Sequence, residues 1–470
     1  MKLSELYPEA PDLIVSQISH DSRLVKPGAL FFALPGYKTQ GDRFIPQAIA
    51  QGAIAIVGEK SQNLPVPYFQ VPDARGELSR VADLFYGRPS HSLWVAGITG
   101  TDGKSTTSYL LHHILSAAGI KAGLLSTVEV VGAGKRAPAP GHFTTPEAPE
   151  IHRILAEMRA EGLTHVVLET SSHALSERRV ADVNYDLAVF TNLSPEHLDH
   201  YPDMEAYFRA KRKLFEMSPA GITNADSSYG QRLIGPQTTT YGLEAGMVRA
   251  RNLNFSSSGT QFDLVTPDFE GQGFLPLLGT YNVYNALAAM SAAVSAGVAW
   301  PTALAALASF SGVPGRMQII SREPFLSAVD FAHTPAAISS ALAALRPLTQ
   351  GKLIIVLGAP GERDRQKRFF MGQAAAQGAD LVILSEDDSR SEALSEILAE
   401  LERGVKSTDK TPLVIPERHR AIGKAVEMAQ PGDTLLLAGK GHETTLIRGS
   451  ETLAWSEAGE LRNALAKMEG

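Results

Sequence analysis

The most constraining feature of the chain is the stretch at residues 95–119, VAGITGTDGKSTTSYLLHHILSAAG, because a glycine-rich turn joins an apolar strand to a helix there. One face of the helical part is apolar and consists of Leu110, Leu111, Ile114 and Leu115. Gly119 is a natural helix stop. Backbone N–H groups of such a turn, together with the helix N-terminus, bind phosphate oxygens. The stretch therefore predicts a strand, a phosphate-binding loop and a helix.

The loop departs from the usual phosphate-binding pattern at one position. The strict pattern has glycine at position 98, where this chain has Ile98, and we expect Gly97 and Gly100 to supply the flexibility instead. Lys104 is expected to reach a terminal phosphate, and the Ser105 hydroxyl to hold Mg²⁺. Because Lys-Ser directly follows the last glycine, the loop is predicted to bind a nucleotide.

Composition limits the class of protein. A chain of 470 residues with 44% hydrophobic and 20% charged residues is typical of a globular protein with several domains. The formal charge of -7 argues against nucleic acid as a partner, since phosphates attract basic surfaces. No apolar run reaches the ~18 residues of a membrane span, and the start, MKLSELYPEAPDL, lacks an apolar signal core. Without cysteine, disulfides and thiolate metal sites are excluded, and we expect a cytoplasmic location.

The organisation of the chain follows from its apolar runs. From residue 93 onward, strand-like runs such as LWVAGI, THVVLE, KLIIVLGA and DTLLLAGK alternate with helical patterns. This alternation predicts an α/β fold with parallel sheets covered by helices. Breaks at YGRPSHS and SGVPGRM predict three domains, at residues 1–90, 91–313 and 314–470.

Several motifs resemble the Mur ligase family. GITGTDGKSTT is similar to the GTNGKT loop of that family, with Asp102 where Asn is usual. Other segments resemble, in the family's order, the members that add the third peptide residue in cell-wall precursor synthesis: DSRLVKPGALFFAL, FTTPEA, LETSSHALSERRV, FTNLSPEHLDHY, MEAYFRAKRKLF, YNVYNALAA, GVPGRM, DFAHTP, GERDRQKR and AGKGHET. The resemblance spans nearly the whole chain. It implies a smaller N-terminal α/β domain for the UDP substrate, a central P-loop ATPase-type domain and a C-terminal Rossmann-like domain for the incoming amino acid.

The resemblance also implies the ATP site and its metal. The implied ATP-binding residues are Gly100, Thr101, Asp102, Gly103, Lys104, Ser105, Thr106, Asn282, Asn285, Arg316, Asp330 and His333. The implied Mg²⁺ residues are Ser105, Glu169 and His197. A carboxylate oxygen suits Mg²⁺, whereas imidazole is an uncommon partner. Glu196 stands where the family usually has Asp, a change that could alter the metal geometry.

Lys211 has two interpretations. The segment FRAKRKLF on its own indicates a solvated basic helix face. The family resemblance implies instead that Lys211 carries CO₂ as a carbamate (N6-carboxylysine) and holds a second Mg²⁺. The neighbouring cations Arg209, Arg212 and Lys213 favour a neutral amine at this position, which is the form that adds CO₂. Lys104, Glu169, His197 and Lys211 are thus the expected catalytic residues.

Two further substrate sites are implied by the same motifs. The implied residues for the UDP-MurNAc-dipeptide are Ser22, Thr144, Thr145, Ser171 and Arg179. Glu177 stands where the family usually has Gln. The implied residues for the incoming amino acid are Arg363, Asp387, Asp388, Arg390, Gly439 and Glu443. Members that add meso-diaminopimelate typically carry DNPR where this chain has DDSR. The extra anion favours ornithine or lysine over meso-diaminopimelate.

The resemblance implies an ATP-dependent ligation in peptidoglycan synthesis. The γ-phosphoryl group of ATP activates the D-glutamyl γ-carboxylate of UDP-MurNAc-L-Ala-D-Glu as an acyl phosphate, and a diamino acid then attacks. We expect a monomer with no nucleic-acid or membrane partner. Two alternatives stay open at this point. One is another ligase of the same mechanism, either a different Mur ligase or a folylpolyglutamate synthetase. The other is a P-loop ATPase that acts as a switch.

Overall fold

The computed structural model describes residues 1–36, 40–140 and 143–468 and contains two compact units. The first unit comprises Met1–Thr99, Ile120–Ala188 and Arg209–Ala220, and the second comprises Gly100–Gly119, Val189–Phe208 and Gly221–Gly470. Both units combine helices with sheets in which parallel strand pairs predominate. The predicted α/β fold class is confirmed.

The first unit begins with a fully parallel four-stranded sheet. Its strands, in spatial order, are Gln17–Ser19, Ala29–Ala33, Ala53–Gly58 and Tyr68–Gln70. The strand sequence ALFFA is buried at every position, because apolar side chains pack on both of its faces. The helices of this region are Leu3–Leu6, Ile45–Ala50 and Ala74–Phe85, with 3₁₀ turns at Ser22–Leu24, Gly41–Phe44 and Pro89–Ser92.

A second group of strands in this unit leads into the glycine-rich loop. The strands, in spatial order, are Trp94–Thr99, His165–Glu169, Ala122–Leu125, Glu129–Val131 and Arg136–Pro138. The first three are mutually parallel and the last two pair antiparallel. Two helices accompany these strands, Ala148–Ala160 and Ser172–Ser176. The strand Leu187–Phe190, the helix Met204–Glu216 and the strand Ala220–Asn224 each begin in one unit and end in the other.

The second unit contains the helix Lys104–Ala117, which follows the glycine-rich loop and packs against the helix Thr280–Ser295. Its strands in this region run in sequential order: Ala220–Asn224, Thr238–Gly242, Val248–Ser256, Gly259–Val265 and Glu270–Leu275. The first two pairings are parallel and the last two antiparallel. Two further helices are Ser228–Gln231 and Trp300–Leu307.

The second unit ends in a six-stranded sheet with helices on both faces. In spatial order its strands are Gln318–Ser321, Leu326–Asp330, Thr434–Ala438, Leu353–Leu357, Leu381–Leu384 and Leu413–Val414. All pairs except the first are parallel. In the strand LIIVL, Leu353, Ile355 and Leu357 join one core, and Ile354 and Val356 join another. This period of two explains the continuous apolar run.

The helices of this region divide between the two cores. One core contains residues of Pro335–Leu345, Gln366–Gly378 and Leu394–Lys406, and the other contains residues of Arg418–Met428 and Glu457–Ala466. A 3₁₀ turn at Arg346–Leu348 and the hairpin of Thr445–Arg448 and Glu451–Ala454 complete the elements. Over the described ranges, no helix has both the length and the apolar character that crossing a bilayer requires.

Candidate active site

The glycine-rich loop connects the strand Trp94–Thr99 to the helix Lys104–Ala117, as predicted. Gly100 and Gly103 have φ angles of 150° and 82°. A Cβ on Gly103 would lie 2.3 Å from Oδ1 of Asn285, and one on Gly100 would lie 1.8 Å from Oγ1 of Thr191. Only glycine fits at these two positions, because both the backbone angle and the close approach exclude a side chain.

The prediction that Gly97 lends flexibility to the loop is wrong. Gly97 lies inside the strand Trp94–Thr99 and does not have a positive φ angle. A Cβ at this position would come within 2.7 Å of the Tyr185 ring and 2.8 Å of a methyl group of Leu214. The glycine therefore makes room for core side chains rather than for a turn.

The segment after the strand Leu187–Phe190 braces the loop through hydrogen bonds. The backbone N–H of Thr101 donates to the carbonyl of Asn192 at 2.9 Å, and that of Asp102 donates to Oδ1 of Asn192 at 3.0 Å. Nδ2 of Asn192 returns a hydrogen bond to the Asp102 carbonyl at 3.1 Å. The Ser194 hydroxyl donates to Oδ2 of Asp102 at 3.3 Å. The loop conformation is thus fixed by backbone and amide contacts on both of its middle residues.

Two predicted ATP-binding side chains lie over the loop itself. Nζ of Lys104 donates to the carbonyls of Gly100 and Thr101, at 3.2 Å and 2.8 Å. Nη2 of Arg316 donates to the Ser105 hydroxyl at 3.3 Å. The structure therefore brings Lys104, Ser105 and Arg316 together at the start of the helix, where the helix dipole also attracts anions.

Arg316 is held from a second side, since its guanidinium carbon lies 4.3 Å from the centre of the Phe331 ring. Such a cation–π contact orients a cation without consuming its hydrogen-bond donors. Thr106, another predicted ATP-binding residue, is buried in the first turn of the helix.

The two predicted asparagines lie within the helix Thr280–Ser295 rather than at a cap. Nδ2 of Asn285 donates to Oδ1 of Asn282 at 3.1 Å, and Nδ2 of Asn282 donates to the Leu278 carbonyl at 2.7 Å. The Thr107 hydroxyl donates to Oδ1 of Asn285 at 3.3 Å. This chain of amides links the helix to the loop, because Gly103 also packs against Asn285.

Asp330 ends the strand Leu326–Asp330, and His333 lies in the loop that follows it. Oδ2 of Asp330 accepts a hydrogen bond from the Met317 N–H. Burial raises the pKa of Asp330 to about 6, although Arg316 opposes the change. Nδ1 of His333 donates to the Phe331 carbonyl at 2.7 Å. Burial lowers the pKa of His333, so the neutral imidazole is favoured.

His197 and Glu196 belong to the motif that contains Asn192. His197 has a φ of 57°, and its ring lies edge-on to Tyr207 at 6.0 Å between centres. The Tyr207 hydroxyl is 3.3 Å from Oγ1 of Thr101, which connects His197 to the glycine-rich loop. Oε1 of Glu196 lies 3.7 Å from Nζ of Lys367, while burial raises the pKa of Glu196. Lys367 was not predicted from the sequence, although it lies in the quoted motif GERDRQKR.

Glu169 ends a strand that pairs with the strand leading to the loop. In the register of the two parallel strands, Glu169 is opposite Ile98. Its side chain is buried, and Oε2 accepts a hydrogen bond from the Thr127 N–H at 2.9 Å. A buried carboxylate at the carboxyl end of a parallel sheet has the position and chemistry expected of a cation ligand.

Lys211 is buried on the helix Met204–Glu216, with 1% of its surface exposed. Its neighbours Arg209, Arg212 and Lys213 are all exposed. The solvated basic face therefore exists but does not include Lys211. Lysine is almost never fully buried unless its ammonium group is paired, so Lys211 is not a solvated surface cation.

Three residues predicted to bind the UDP-MurNAc-dipeptide form one hydrogen-bonded group: Thr145, Ser171 and Arg179. The Thr145 hydroxyl donates to the Glu169 carbonyl at 2.8 Å and accepts from the Ser171 N–H at 3.0 Å. Nη1 of Arg179 donates to the Thr145 carbonyl at 3.1 Å. Thr144 adjoins this group and is half-buried.

Ser22 is buried in the first sheet region, where its hydroxyl donates to Oε1 of Gln47 at 2.9 Å. It is held by the 3₁₀ turn Ser22–Leu24, which Asp21 caps through the Arg23 N–H.

The residues predicted to bind the incoming amino acid lie in loops that follow strands of the six-stranded sheet. Nζ of Lys440 contacts three carboxylates, at 3.6 Å from Asp387, 2.7 Å from Asp388 and 2.6 Å from Glu443. Burial raises the pKa of Glu443 to about 7, with Lys440 opposing the change. These carboxylates raise the pKa of Lys440 to about 12 against the effect of burial. We call this set the Lys440 cluster.

The remaining residues predicted to bind the incoming amino acid flank the Lys440 cluster. Gly439 has a φ of 110°, and a Cβ there would lie 3.0 Å from Oδ2 of Asp387. Nη1 of Arg390 donates to the Gly361 carbonyl at 3.2 Å, which ties it to the loop that contains the exposed Arg363.

Lys440 was not predicted from the sequence, although it belongs to the motif AGKGHET. A lysine between two glycines after an apolar strand was the available signal. Its partners could not be identified, because Asp388 is 52 positions away in the sequence.

Comparison with known proteins gives a consistent result. Three family models match the chain: the Mur ligase middle domain at residues 98–293, the glutamate ligase domain of Mur ligases at 315–441, and the catalytic domain of the Mur ligase family at 14–86. A UDP-N-acetylmuramyl-tripeptide synthetase of Deinococcus radiodurans is 45% identical over 97% of this chain and 96% of its own length.

Two further proteins extend the comparison. A UDP-N-acetylmuramoyl-L-alanyl-D-glutamate–2,6-diaminopimelate ligase of Geobacillus thermodenitrificans is 39% identical over 97% of this chain and 95% of its own length. A solved structure of a ligase with the same name is 30% identical, with a TM-score of 0.68, and covers 100% of this chain and 99% of that one.

Proposed function

The chain belongs to the Mur ligase family of ATP-dependent peptide ligases, and we propose that it adds a diamino acid to UDP-MurNAc-L-Ala-D-Glu. The observation that carries this proposal is the 45% identity, over 97% of the chain, to a tripeptide synthetase. The geometry of the glycine-rich loop supports nucleotide use, because the Lys104 ammonium group donates to the loop carbonyls of Gly100 and Thr101. The product is a peptide bond at the D-glutamyl γ-carboxylate, as peptidoglycan synthesis requires.

The proposed chemistry has two steps. The γ-carboxylate attacks the γ-phosphorus of ATP, ADP leaves, and an acyl phosphate forms. The α-amine of the diamino acid then attacks the acyl carbon, phosphate leaves, and the amine loses one proton. Lys104 neutralises charge on the phosphoryl group, and Arg316 and the loop N–H groups orient the nucleotide. No side-chain nucleophile is needed.

The residues proposed for Mg²⁺ fit that cation by the chemistry of their donors. Glu169 offers a buried carboxylate and Ser105 a hydroxyl, which are the oxygen ligands that Mg²⁺ prefers. Magnesium bound there would neutralise phosphate charge as a Lewis acid. His197 is proposed to support the metal site, with its ring oriented by Tyr207.

We further propose that Lys211 carries CO₂ as a carbamate. The burial of Lys211, next to three exposed cations, supports a role other than that of a surface charge. Carbamylation would convert a buried cation into an anionic oxygen ligand for a second Mg²⁺.

The dipeptide and amino-acid sites are proposed from the resemblance and supported by local geometry. Thr145, Ser171 and Arg179 form one hydrogen-bonded group, with Arg179 suited to a carboxylate. Asp388, in place of the usual Asn, makes the Lys440 cluster more negative by one charge, which supports ornithine or lysine over meso-diaminopimelate. The amino-acid preference is part of the proposal.

The test is ligation by the purified full chain with ATP, Mg²⁺ and UDP-MurNAc-L-Ala-D-Glu. L-ornithine, L-lysine and meso-diaminopimelate are supplied in turn, and phosphate release and the mass of the UDP-linked product are measured. We expect a tripeptide product with a basic diamino acid and none with Lys104→Met. Dipeptide labelled with ¹⁸O in its γ-carboxylate should transfer one label to phosphate, as an acyl phosphate requires.

Other outcomes would favour the alternatives. Phosphate release at the full rate without any amino acid would indicate a P-loop ATPase switch. Activity only with a folate acceptor would indicate a folylpolyglutamate synthetase. A strong preference for meso-diaminopimelate would overturn the amino-acid assignment alone.

A further inference from the structure

Two arginines and two glutamates alternate beside the proposed dipeptide group. Oε2 of Glu177 lies 2.6 Å from Nη2 of Arg179 and 3.5 Å from Nη1 of Arg75. Glu147 is shared in the same way, since Oε1 is 3.0 Å from Nε of Arg179 and Oε2 is 3.9 Å from Nη1 of Arg75. We call this set the arginine–glutamate quartet. Each carboxylate therefore contacts both cations.

The charges of the quartet cancel when all four groups are ionised. With glutamine in place of Glu177, the same group would carry one positive charge. The UDP-MurNAc-dipeptide is an anion, so the glutamate places a repelling charge directly on the arginine proposed to receive the substrate carboxylate. The side chains of Glu177 and Arg179 are only 11% and 6% exposed, so solvent screens this charge weakly.

Arg75 is oriented toward the two acids from a fixed position. It lies in the first turn of the helix Ala74–Phe85, and Nη2 donates to the Pro35 carbonyl at 3.3 Å. Nη1 is buried and makes no hydrogen bond within the part of the chain that the structure describes. It faces Glu177 and Glu147 as a charge rather than as a hydrogen-bond donor. Glu177 therefore makes its short hydrogen bond with Arg179 and not with Arg75.

We propose that Arg75 is a positioning residue for recognition of the UDP-MurNAc-dipeptide, acting through Glu177. Arg75 supplies the second positive charge of the quartet, so that the two carboxylates leave no net negative charge beside the anionic substrate while Arg179 keeps its hydrogen bonds to Glu177 and to the Thr145 carbonyl. Without Arg75, Glu177 and Glu147 would share one cation, and the site would carry a net negative charge. The inference rests on the proposed function, because it assigns a role at the same substrate site.

The test is a double-mutant cycle on Arg75→Met and Glu177→Gln in the full chain. Calorimetry measures the Kd of UDP-MurNAc-L-Ala-D-Glu, and steady-state assays measure KM and kcat. We expect Arg75→Met to raise Kd and KM about tenfold with kcat changed less than about twofold. In the Glu177→Gln background the same substitution should change Kd by less than about threefold, because the quartet then falls only from one positive charge to neutrality and never becomes negative.

Arg80→Met is the matched control, since Arg80 lies on the same helix but pairs with Glu77. It should leave Kd unchanged. If Arg75→Met does not fold, as thermal unfolding would reveal, Arg75→Lys retains the charge and should bind within about threefold of the wild-type chain. Equal losses from Arg75→Met in both backgrounds, or a loss with Arg75→Lys as large as with methionine in a folded protein, would overturn the inference. Absence of dipeptide binding by the wild-type chain would instead overturn the proposed function.

Discussion

The ammonium group of Lys440 lies 2.7 Å from Oδ1 of Asp388 and 2.6 Å from Oε2 of Glu443, so one buried cation is shared by two acids. The Ile447 N–H donates to the same oxygen of Asp388 at 3.0 Å. The carboxylate of Asp388 is therefore engaged within the protein. We therefore propose that Asp388 acts on the incoming amino acid through the net charge of the Lys440 cluster.

Asp388→Asn removes one negative charge from the Lys440 cluster. We expect the ratio of kcat/KM for ornithine or lysine to that for meso-diaminopimelate to fall about tenfold, a change of about 1.4 kcal/mol. Competition assays with paired amino acids measure this ratio. Asp409→Asn, an exposed site with the same substitution, serves as the control and should leave the ratio unchanged. An unaltered preference in Asp388→Asn would show that the cluster charge does not select the amino acid.

Lys211→Ala removes the proposed carbamate. We expect ligation to slow by at least about a hundredfold, because the proposed ligand of the second Mg²⁺ is lost. Short carboxylic acids supplied in solution should restore part of the rate by replacing the missing oxygens. Lys213→Ala, on the exposed side of the same helix, should retain full activity. A rate within threefold of the wild-type value for Lys211→Ala would contradict the carbamate role.

Gly103→Ala and Gly119→Ala compare two glycines with nearly equal φ angles of 82° and 79°. Both substitutions should destabilise the fold by about 1 kcal/mol, since alanine is strained at such angles. At Gly103 the added Cβ meets a side chain, 2.3 Å from Oδ1 of Asn285, whereas at Gly119 no atom of the described residues, apart from the chain neighbours, lies within 4 Å. We expect the KM for ATP to rise about tenfold for Gly103→Ala alone. Equal KM values for both variants would rule out this steric role.

The interactions of Glu392 predict how the free energy of unfolding depends on pH in the acid range. Arg368, which is fully buried, together with Arg365 and the Glu362 N–H, lowers the pKa of Glu392 to about 2 from its ordinary value of 4.5. The unfolded chain therefore takes up a proton before the folded chain does, so this contribution is complete above pH 4.5 and is lost as the pH falls toward 2. Allowing for screening, we expect a loss of roughly 1 to 2 kcal/mol.

The measurement is the free energy of unfolding by denaturant at a series of pH values. Glu392→Gln should be less stable at neutral pH, and its stability should fall less steeply between pH 4.5 and 2. Glu396→Gln, at an exposed residue with a 3.4 Å contact to Arg365, is the control and should keep the wild-type slope. Identical slopes in Glu392→Gln and the wild-type chain would contradict the assignment.

Local patterns in the sequence were sufficient for the elements that carry the site. The strand, glycine-rich loop and helix around Lys104 are encoded by neighbouring residues, because backbone hydrogen bonds and turn angles depend on short stretches of chain. The same holds for apolar strands such as Leu353–Leu357, whose continuous hydrophobic character indicates burial on both faces. Gly97 shows the limit: its role depends on Tyr185 and Leu214, which no local pattern identifies.

The sequence by itself determined the α/β class, the nucleotide loop and the motifs that carry the family resemblance. Tertiary structure alone decided which charges meet: Lys440 with Asp388, Glu177 with both Arg75 and Arg179, and Lys211 on the buried side of its helix. The physical reason is that burial and charge pairing depend on distances between side chains far apart in the chain. Parallel strands bring their carboxyl ends to one edge of a sheet, and only the folded order of those strands sets these distances.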